Sequence, residues 1–452
     1  MERHNRKIME RPILYLGAIG LLASCGGGGQ GQLIGAQGRP GWYQVDPYGM
    51  NYIGMGSFVM GPSDQDVPYA VVSKSKTVSV QAFYIDQTEI TNNEYRQFVY
   101  YVRDSIAKRT LGDEDIGEHV ITEDEFGEEI DPPVLNWRER INWYGDEERE
   151  ALADMFLSES ERFYRRKEID TRKLMFEYYW IDLKEAARKA NNARDLDLSY
   201  TNVKGQNNAI RGHSDRSKFI IKEVINVYPD TLVWVHDFTY SFNEPMTENY
   251  FWHPAYDDYP VVGVNWKAAT AFCAWRTKIW DMYRPQDVHT EGFRLPTEFE
   301  WEYAARAGHN SAPYPWGAYG LRNSKGCLLA NFKPRRGNYP EDGGLWTVKS
   351  NAYFANDYGF YCMAGNVSEW TSTAYAENAY SFIHDLNPDI RYDAKDEDPE
   401  GLKRKVIKGG SWKDIGYFLR NGTRHYEFQD TAKSYIGFRC VLTHMGRSLN
   451  DF

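Results

Sequence analysis

Between Tyr259 and Val441 short apolar and aromatic runs are broken again and again by glycine-centred turns, and this succession constrains the fold more than any other feature. Tyr259-Pro260-Val261-Val262-Gly263-Val264-Asn265-Trp266 reads as a strand and a turn, and Ala268-Ala269-Thr270-Ala271-Phe272-Cys273-Ala274-Trp275 as an Ala-rich helix. A second helix starts within Arg294 to Arg306, where Thr297 caps and Glu300, three residues on, reaches back. Then follow Tyr314-Pro315-Trp316-Gly317, the run Tyr361 to Trp370 containing Gly365-Asn366-Val367-Ser368-Glu369, Lys408-Gly409-Gly410-Ser411-Trp412 and Gly437-Phe438-Arg439-Cys440. Taken alone, the glycines serve tight turns and the Gly-Phe-Arg step serves aromatic–Arg packing. Aromatic residues make up 15% of the chain, enough for a ring-rich core.

The earlier half is less uniform. Gly54 to Met60 and Lys76 to Ile85 alternate as strands do. Thr91 and Glu94 stand in capping-box spacing, which puts Tyr95, Phe98 and Val99 on one face of the helix that follows. From Asp113 to Asp131 there are ten carboxylates and no Lys or Arg, which predicts a solvated loop or arm without a calcium-binding pattern. Asp146 to Arg188 predicts two amphipathic helices, striped by Met155, Phe156, Phe163, Met175, Tyr179 and Leu183. Strand signals return at Lys222 to Tyr228 and Thr231 to Phe238. Residues 101 to 245 are therefore expected to form a helical, acidic insertion within one α+β domain spanning 46 to 445. Its apolar stripe has two readings, an interface or a face docked on its own domain.

Arg3, Arg6, Lys7 and Arg11 precede an apolar run from Pro12 to Ala23, which is too short to span a bilayer and has the layout of a bacterial export signal. The run ends Leu22-Ala23-Ser24-Cys25 and resembles a lipobox, so residues 1 to 24 are expected to be removed and Cys25 acylated. The glycine-rich stretch that follows, within 25 to 45, would act as a tether. The formal charge is −11, which disfavours nucleic acid as a partner. Beyond Cys25 lie Cys273, Cys327, Cys362 and Cys440, an even number in an oxidising compartment that leaves three pairings open.

In this order and spacing, the motifs between Gly54 and Val441 closely resemble the formylglycine-generating, sulfatase-modifying-factor family. The resemblance implies an α+β fold of the C-type-lectin-like kind. It implies a disulfide from Cys273 to Cys440, which leaves Cys327 and Cys362 as the remaining pair. It also implies calcium held by side-chain oxygens of Asn331, Asp342 and Glu369 and carbonyls of Phe332, Gly344, Gly365 and Val367, a hard-oxygen set. Cys362 stands where the family carries Asp or Asn, and a soft thiol there argues against the site at Glu369. The family's enzymes place a copper-binding Cys pair between the Gly-Gly-Ser and Gly-Phe-Arg segments, and this chain has no Cys between Gly409 and Arg439. No copper is expected, and no catalytic residue is assigned. His425 beside Arg424 lacks an evident orienting partner, and no zincin, nucleophile-elbow or phosphate-loop motif occurs.

The lipobox, the Cys-less domain and the acidic insertion together resemble the GldK/PorK-type lipoproteins of gliding motility and type IX secretion, with GldJ-type lipoproteins as the nearest paralogues. That resemblance implies a noncatalytic subunit anchored by lipid to the outer membrane on its periplasmic face. Its implied partners are further copies of itself in a ring, a GldN/PorN-type periplasmic protein and other outer-membrane components of the machine. Two alternatives are an active copper-dependent oxidase of the formylglycine-generating class and a calcium-dependent, carbohydrate-binding lectin-like module.

Overall fold

A single buried strand joins the two ends of the domain. In the computed structural model, residues 44–446 are described apart from 63–74, 125, 189–218, 241–243, 285–290, 335, 337–339 and 341–342. The expected signal, Cys25 and most of the tether therefore lie outside the described residues. The strands β1 (Met50–Ile53), β2 (Gly56–Met60), β3 (Lys76–Val80) and β4 (Phe83–Asp86) come first. β4 is wholly buried and pairs antiparallel with β1 on one side and with the last strand, β13 (Val441–Thr443), on the other. β2 and β3 form a separate hairpin, so the expected continuous strand from Lys76 to Ile85 is broken at Gln81-Ala82 and serves two sheets.

Helix α1 (Asn92–Asp113) starts with the anticipated capping box and buries Tyr95, Phe98, Val99 and Val102 at helical spacing. It packs against α2 (Trp266–Tyr283), where Tyr95 stacks on Phe272 at 5.6 Å between centroids. The alanines of α2 let the two helices approach, and Asn265 caps α2 by accepting the Ala268 N–H at 2.8 Å. Tyr259 to Asn265 forms no sheet strand, only an isolated bridge between Thr91 and Pro260. Helix α3 (Glu298–Arg306) and strand β9 (Ser368–Ala374) complete the core. β9 is central in a four-stranded sheet, flanked by antiparallel β10 (Arg404–Lys408) and the parallel pair β12 (Ile436–Gly437), with β11 (His425–Phe428) outside β10.

Among the described residues, the insertion mixes short helices with strands. Its acidic stretch, expected as a loop or arm, folds into the hairpin β5 (Val120–Glu123) and β6 (Glu129–Leu135) against α1. The expected helices between Asp146 and Arg188 reduce to one short helix at Asp146–Ala151, isolated turns, the strand β7 (Met175–Ile181) and one turn at Leu183–Ala187. Period decides this. Phe176 and Tyr178 are buried while Met175, Tyr179 and Ile181 face out, an alternation of two that no helix produces. Tyr164 and Arg165 adopt positive φ, which ends any helix there. β7 pairs with β8 (Ile220–Asn226), whereas Val233–Asp237, expected as strand, is a short helix.

Phe176, Tyr178 and Val227 join the main core, with Phe98 edge-on to Phe176 at 5.1 Å. Leu152 and Met155 seal a smaller cluster over Ala107 and Leu111. The predicted stripe thus divides, because Met155 is buried whereas Phe163 is 74% exposed. Val45–Met445, insertion included, packs as one unit. Among the described residues, no helix is long and apolar enough to cross a membrane.

Candidate functional site

The motif residues build a chain of buried charges. At the start of α3 the Thr297 hydroxyl accepts the Glu300 N–H at 3.2 Å and Glu300 accepts the Thr297 N–H at 2.8 Å. Arg294 donates twice to the same carboxylate, at 2.7 and 2.5 Å. Burial pushes the Glu300 carboxyl up, but Arg294 outweighs it and holds the group below its ordinary range. One turn later Glu302 lies between Arg306 at 2.7 Å and Lys408 at 3.0 Å, and again the cations outweigh its burial. Trp301 donates its indole N–H to Glu369 at 2.7 Å. Both Glu369 oxygens accept from Arg439 at 2.6 Å, a bidentate pair out of contact with water. Beside this pair sits Glu89, pushed well above the usual carboxylate range by burial and by Glu369, with Arg439 opposing. Glu89 accepts the Asn366 side-chain N–H at 2.7 Å and the Val367 N–H at 3.3 Å.

The glycines permit contacts that a side chain would block. Gly365 has φ +78°, and a Cβ there would lie 2.3 Å from the Asn331 carbonyl oxygen. That approach lets the Asn366 N–H donate to Asn331 O at 2.8 Å. Gly410, at φ +67°, would place a Cβ 2.9 Å from the backbone of Phe418. Next to it Ser411 donates from its N–H and hydroxyl to Asp414 at 3.0 and 2.6 Å, turning the chain into the stretch Trp412 to Arg420. Trp412 stacks on Trp234 and Phe238, at 6.0 and 5.8 Å.

That stretch forms one wall of a cleft of about 600 Å³. Ile415, Gly416, Tyr417 and Arg420 face a small hairpin around Leu321 and Leu328. Gly416 makes the approach possible, since a Cβ there would meet Leu321 at 2.3 Å. The wall offers rings, a guanidinium and backbone, and the sequence supplies no thiol to it. Nearby His425 accepts the Tyr426 N–H at 2.8 Å, which turns its ring along its own strand, and Arg424 is committed to Glu298 at 2.9 Å.

A sulfatase-modifying factor enzyme 1-like domain matches residues 43–444. The chain belongs to that family. The formylglycine-generating enzyme of Bos taurus is 34% identical over 196 residues, 42% of this chain and 45% of the bovine protein. The inactive C-alpha-formylglycine-generating enzyme 2 of Bos taurus is also 34% identical, over 190 residues, 41% of this chain and 50% of its own. The chain spans about half the length of these relatives. Among solved structures, PvdO from Pseudomonas aeruginosa aligns with a TM-score of 0.45 at 15% identity, over 90% of this chain and 99% of PvdO.

For this sulfatase-modifying-factor domain, the structure brings together part of the expected calcium set. Asn331, Gly344, Gly365 and Val367 meet around Asn366, but Glu369 does not suit a cation, because Arg439 already matches its charge. Asn331 donates to Trp346 O at 2.7 Å and accepts the Gly344 N–H at 3.1 Å, so its amide closes the loop that Phe332 continues. Asp342 lies outside the described residues. Among the described residues, no three His, Cys, Asp or Glu side chains are grouped to hold a metal.

Among the described residues, the four cysteines are free thiols. Cys273 and Cys440 meet in the core with sulfurs 3.5 Å apart, adjacent but unbonded. The expected Cys327–Cys362 bond is not formed, since Cys327 sits exposed on a turn while Cys362 is buried beside Glu89 and Arg439. Burial pushes the Cys362 thiol well up, with Glu89 adding to it. Sequence reading missed Glu89, Lys405 and Lys408. Lys405 and Lys408 bracket Val406-Ile407 in a strand, and a lysine in such a run reads as solvated, whereas Lys405 is buried over the Trp266 ring at 3.7 Å.

Proposed function

We propose that this chain is a noncatalytic member of its family, a lipid-anchored structural subunit on the periplasmic face of the outer membrane. In this reading it serves a type IX secretion or gliding machine, assembling as a ring with a GldN/PorN-type partner. One observation carries the noncatalytic part. The stretch where the family's enzymes bear two cysteines contains none between Gly409 and Arg439, and Ile415, Gly416, Tyr417 and Arg420 line the cleft in their place. Copper(I) and oxygen activation need soft thiolates, which rings and guanidinium cannot replace. A relative bearing the name inactive C-alpha-formylglycine-generating enzyme 2 supports loss of activity within the family. Anchoring rests on the lipobox ending at Cys25, and assembly on the insertion.

The insertion shares the core through Phe176 and Tyr178, so removing it would unfold the domain. The assembly test instead changes its outward residues. Phe163, Tyr164 and Tyr179 are replaced by Ser, and the tagged full-length protein is purified from detergent-extracted outer membrane. The wild type is expected to bring down a periplasmic partner and further copies of itself, and the variant to lose them. A wild type that emerges as a lone monomer overturns the assembly reading. Fractionation unchanged by Cys25→Ser overturns the anchor.

A further inference from the structure

Large apolar side chains stand in water around the place where the chain enters the domain. Tyr48 is 97% exposed just before β1, Met55 is 81% exposed on the turn between β1 and β2, and Phe354 is 92% exposed on a loop tied to them. Scattered singly, such residues need no explanation. These are gathered by printed contacts. The Asn51 side chain in β1 donates to Tyr358 O at 3.0 Å and accepts from Gln87 at 2.7 Å, which fastens the loop of Phe354 and Tyr358 to the strand. Asn356, between those two, donates to Ala304 O at 2.9 Å and accepts the Tyr358 N–H at 3.1 Å. Arg276, held to Asp86 at 2.9 Å, donates to Tyr48 O at 3.4 Å. Gly56 lets the turn of Met55 lie against α3, since a Cβ there would meet the Tyr303 hydroxyl at 2.3 Å. The exposed side chains are thus displayed from pinned backbone.

Their place relative to the expected anchor gives them a direction. Val45 stands 20 positions after Cys25, across a glycine-rich stretch. A tether of that length and composition spans about 25 Å, shorter than the diameter of about 55 Å that a domain of this size has. With Cys25 acylated, this end of the domain is the one held nearest the lipid. Aromatic side chains with one polar edge favour the headgroup level of a membrane, where ring and hydroxyl are both accommodated. Helix α1 starts six residues after Asp86 and runs for 22 residues, about 33 Å, so the insertion's Leu152 and Met155 pack on Ala107 and Leu111 at its far end.

We propose that this end of the domain rests on the lipid surface, with Tyr48, Met55 and Phe354 at headgroup level and the insertion turned away, where a periplasmic partner can reach it. The proposal rests on the anchor reading and adds an orientation to it.

Full-length protein anchored in vesicles of phosphatidylethanolamine with a minor share of phosphatidylglycerol tests it. Cys327→Ser removes the exposed native thiol, and a nitrobenzoxadiazole fluorophore is attached through Met55→Cys or, as a control beside the cluster at the far end of α1, through Tyr144→Cys. The Met55 probe should be quenched several-fold more by doxyl-labelled lipid than the Tyr144 probe, and several-fold less by iodide. Adding Tyr48→Ser and Phe354→Ser, both at exposed positions, should keep the parent unfolding midpoint and reduce lipid quenching at Met55. Vesicle flotation separates the two readings. A protein that does not float overturns the anchor and the orientation with it, whereas a floating protein with both probes equally open to iodide overturns the orientation alone. A Met55 probe shielded from iodide but untouched by the lipid quencher identifies a protein cover, from a second copy or this chain's own segments, and overturns it too. Unchanged lipid quenching in the folded Ser variant would do the same.

Discussion

The half of the molecule from Tyr259 to Val441 and the insertion from Val102 to Pro245 handle charge in opposite ways. In the first, Arg439 with Glu369, Lys408 and Arg306 with Glu302, and Arg294 with Glu300 point inward and satisfy one another out of water. In the second, Arg172 with Glu161 and Lys222 with Glu177 face solvent, and rings such as Phe163 and Tyr179 face out with them. A buried ion pair fixes geometry because breaking it leaves an uncompensated charge, whereas an exposed pair fixes little. The first half is thus pinned from within, and the insertion is pinned on one face only.

The largest effect expected from this contrast is covalent. Cys273 and Cys440 lie 167 residues apart in sequence with sulfurs in contact, and a bond between them would add about 4 to 5 kcal/mol in the chain-entropy model. Burial pushes the Cys440 thiol well up, so the bond should form during oxidative folding and not in the folded protein. Nonreducing peptide mapping of oxidatively refolded protein should find this pair linked and Cys327 free to alkylate. A Cys327-containing bond instead would break the contrast between rigid core and exposed turn.

Next is Arg439→Met, which strands the buried Glu369 carboxylate without its cation, at a cost of about 3 to 5 kcal/mol. Urea unfolding should show it, while Arg172→Met in the insertion should leave the midpoint unmoved. Equal losses would mean that the two halves are not different in kind.

Lys405 sharpens the point through pH. Burial pulls its ammonium down to about 8 from an ordinary 10.5. Its folded value is the lower one, so the unfolded chain binds more protons between those values and stability must rise with pH across that window. The rise is up to about 3 kcal/mol, since a tenfold change in proton binding is worth about 1.4 kcal/mol. Unfolding midpoints at pH 7.5 and 9.5 should differ in the wild type and converge in Lys405→Met; a Lys405→Met protein with the same rise would assign it elsewhere. Smallest of all is the insertion's surface: Phe163→Ser and Tyr179→Ser should each change stability by less than about 0.5 kcal/mol. A larger loss would show these rings packed rather than available to a partner.

Much of the domain outside the insertion was legible because its signals are local. Thr91 with Glu94 and Thr297 with Glu300 fix helix starts by spacing alone, and both capping boxes formed. Within the insertion, helix-forming composition hides the strand at Met175 to Ile181. Met175 to Ile181 consists of residues acceptable to either element, and only pairing with Ile220 to Asn226 selects the strand. At the site, the glycine steps were readable, but the roles of Glu89 and Lys405 were not. Each takes its environment from residues more than a hundred positions away, Glu369 and Trp266 among them.

Under the proposed reading, this sulfatase-modifying-factor domain carries no oxygen chemistry. That claim is tested most directly by adding copper(I) to the purified full-length protein and following oxygen uptake with a Cys-containing peptide. The expected result is no stoichiometric copper binding and no oxygen consumption above the copper-only blank. Stoichiometric copper with peptide-dependent turnover would contradict it.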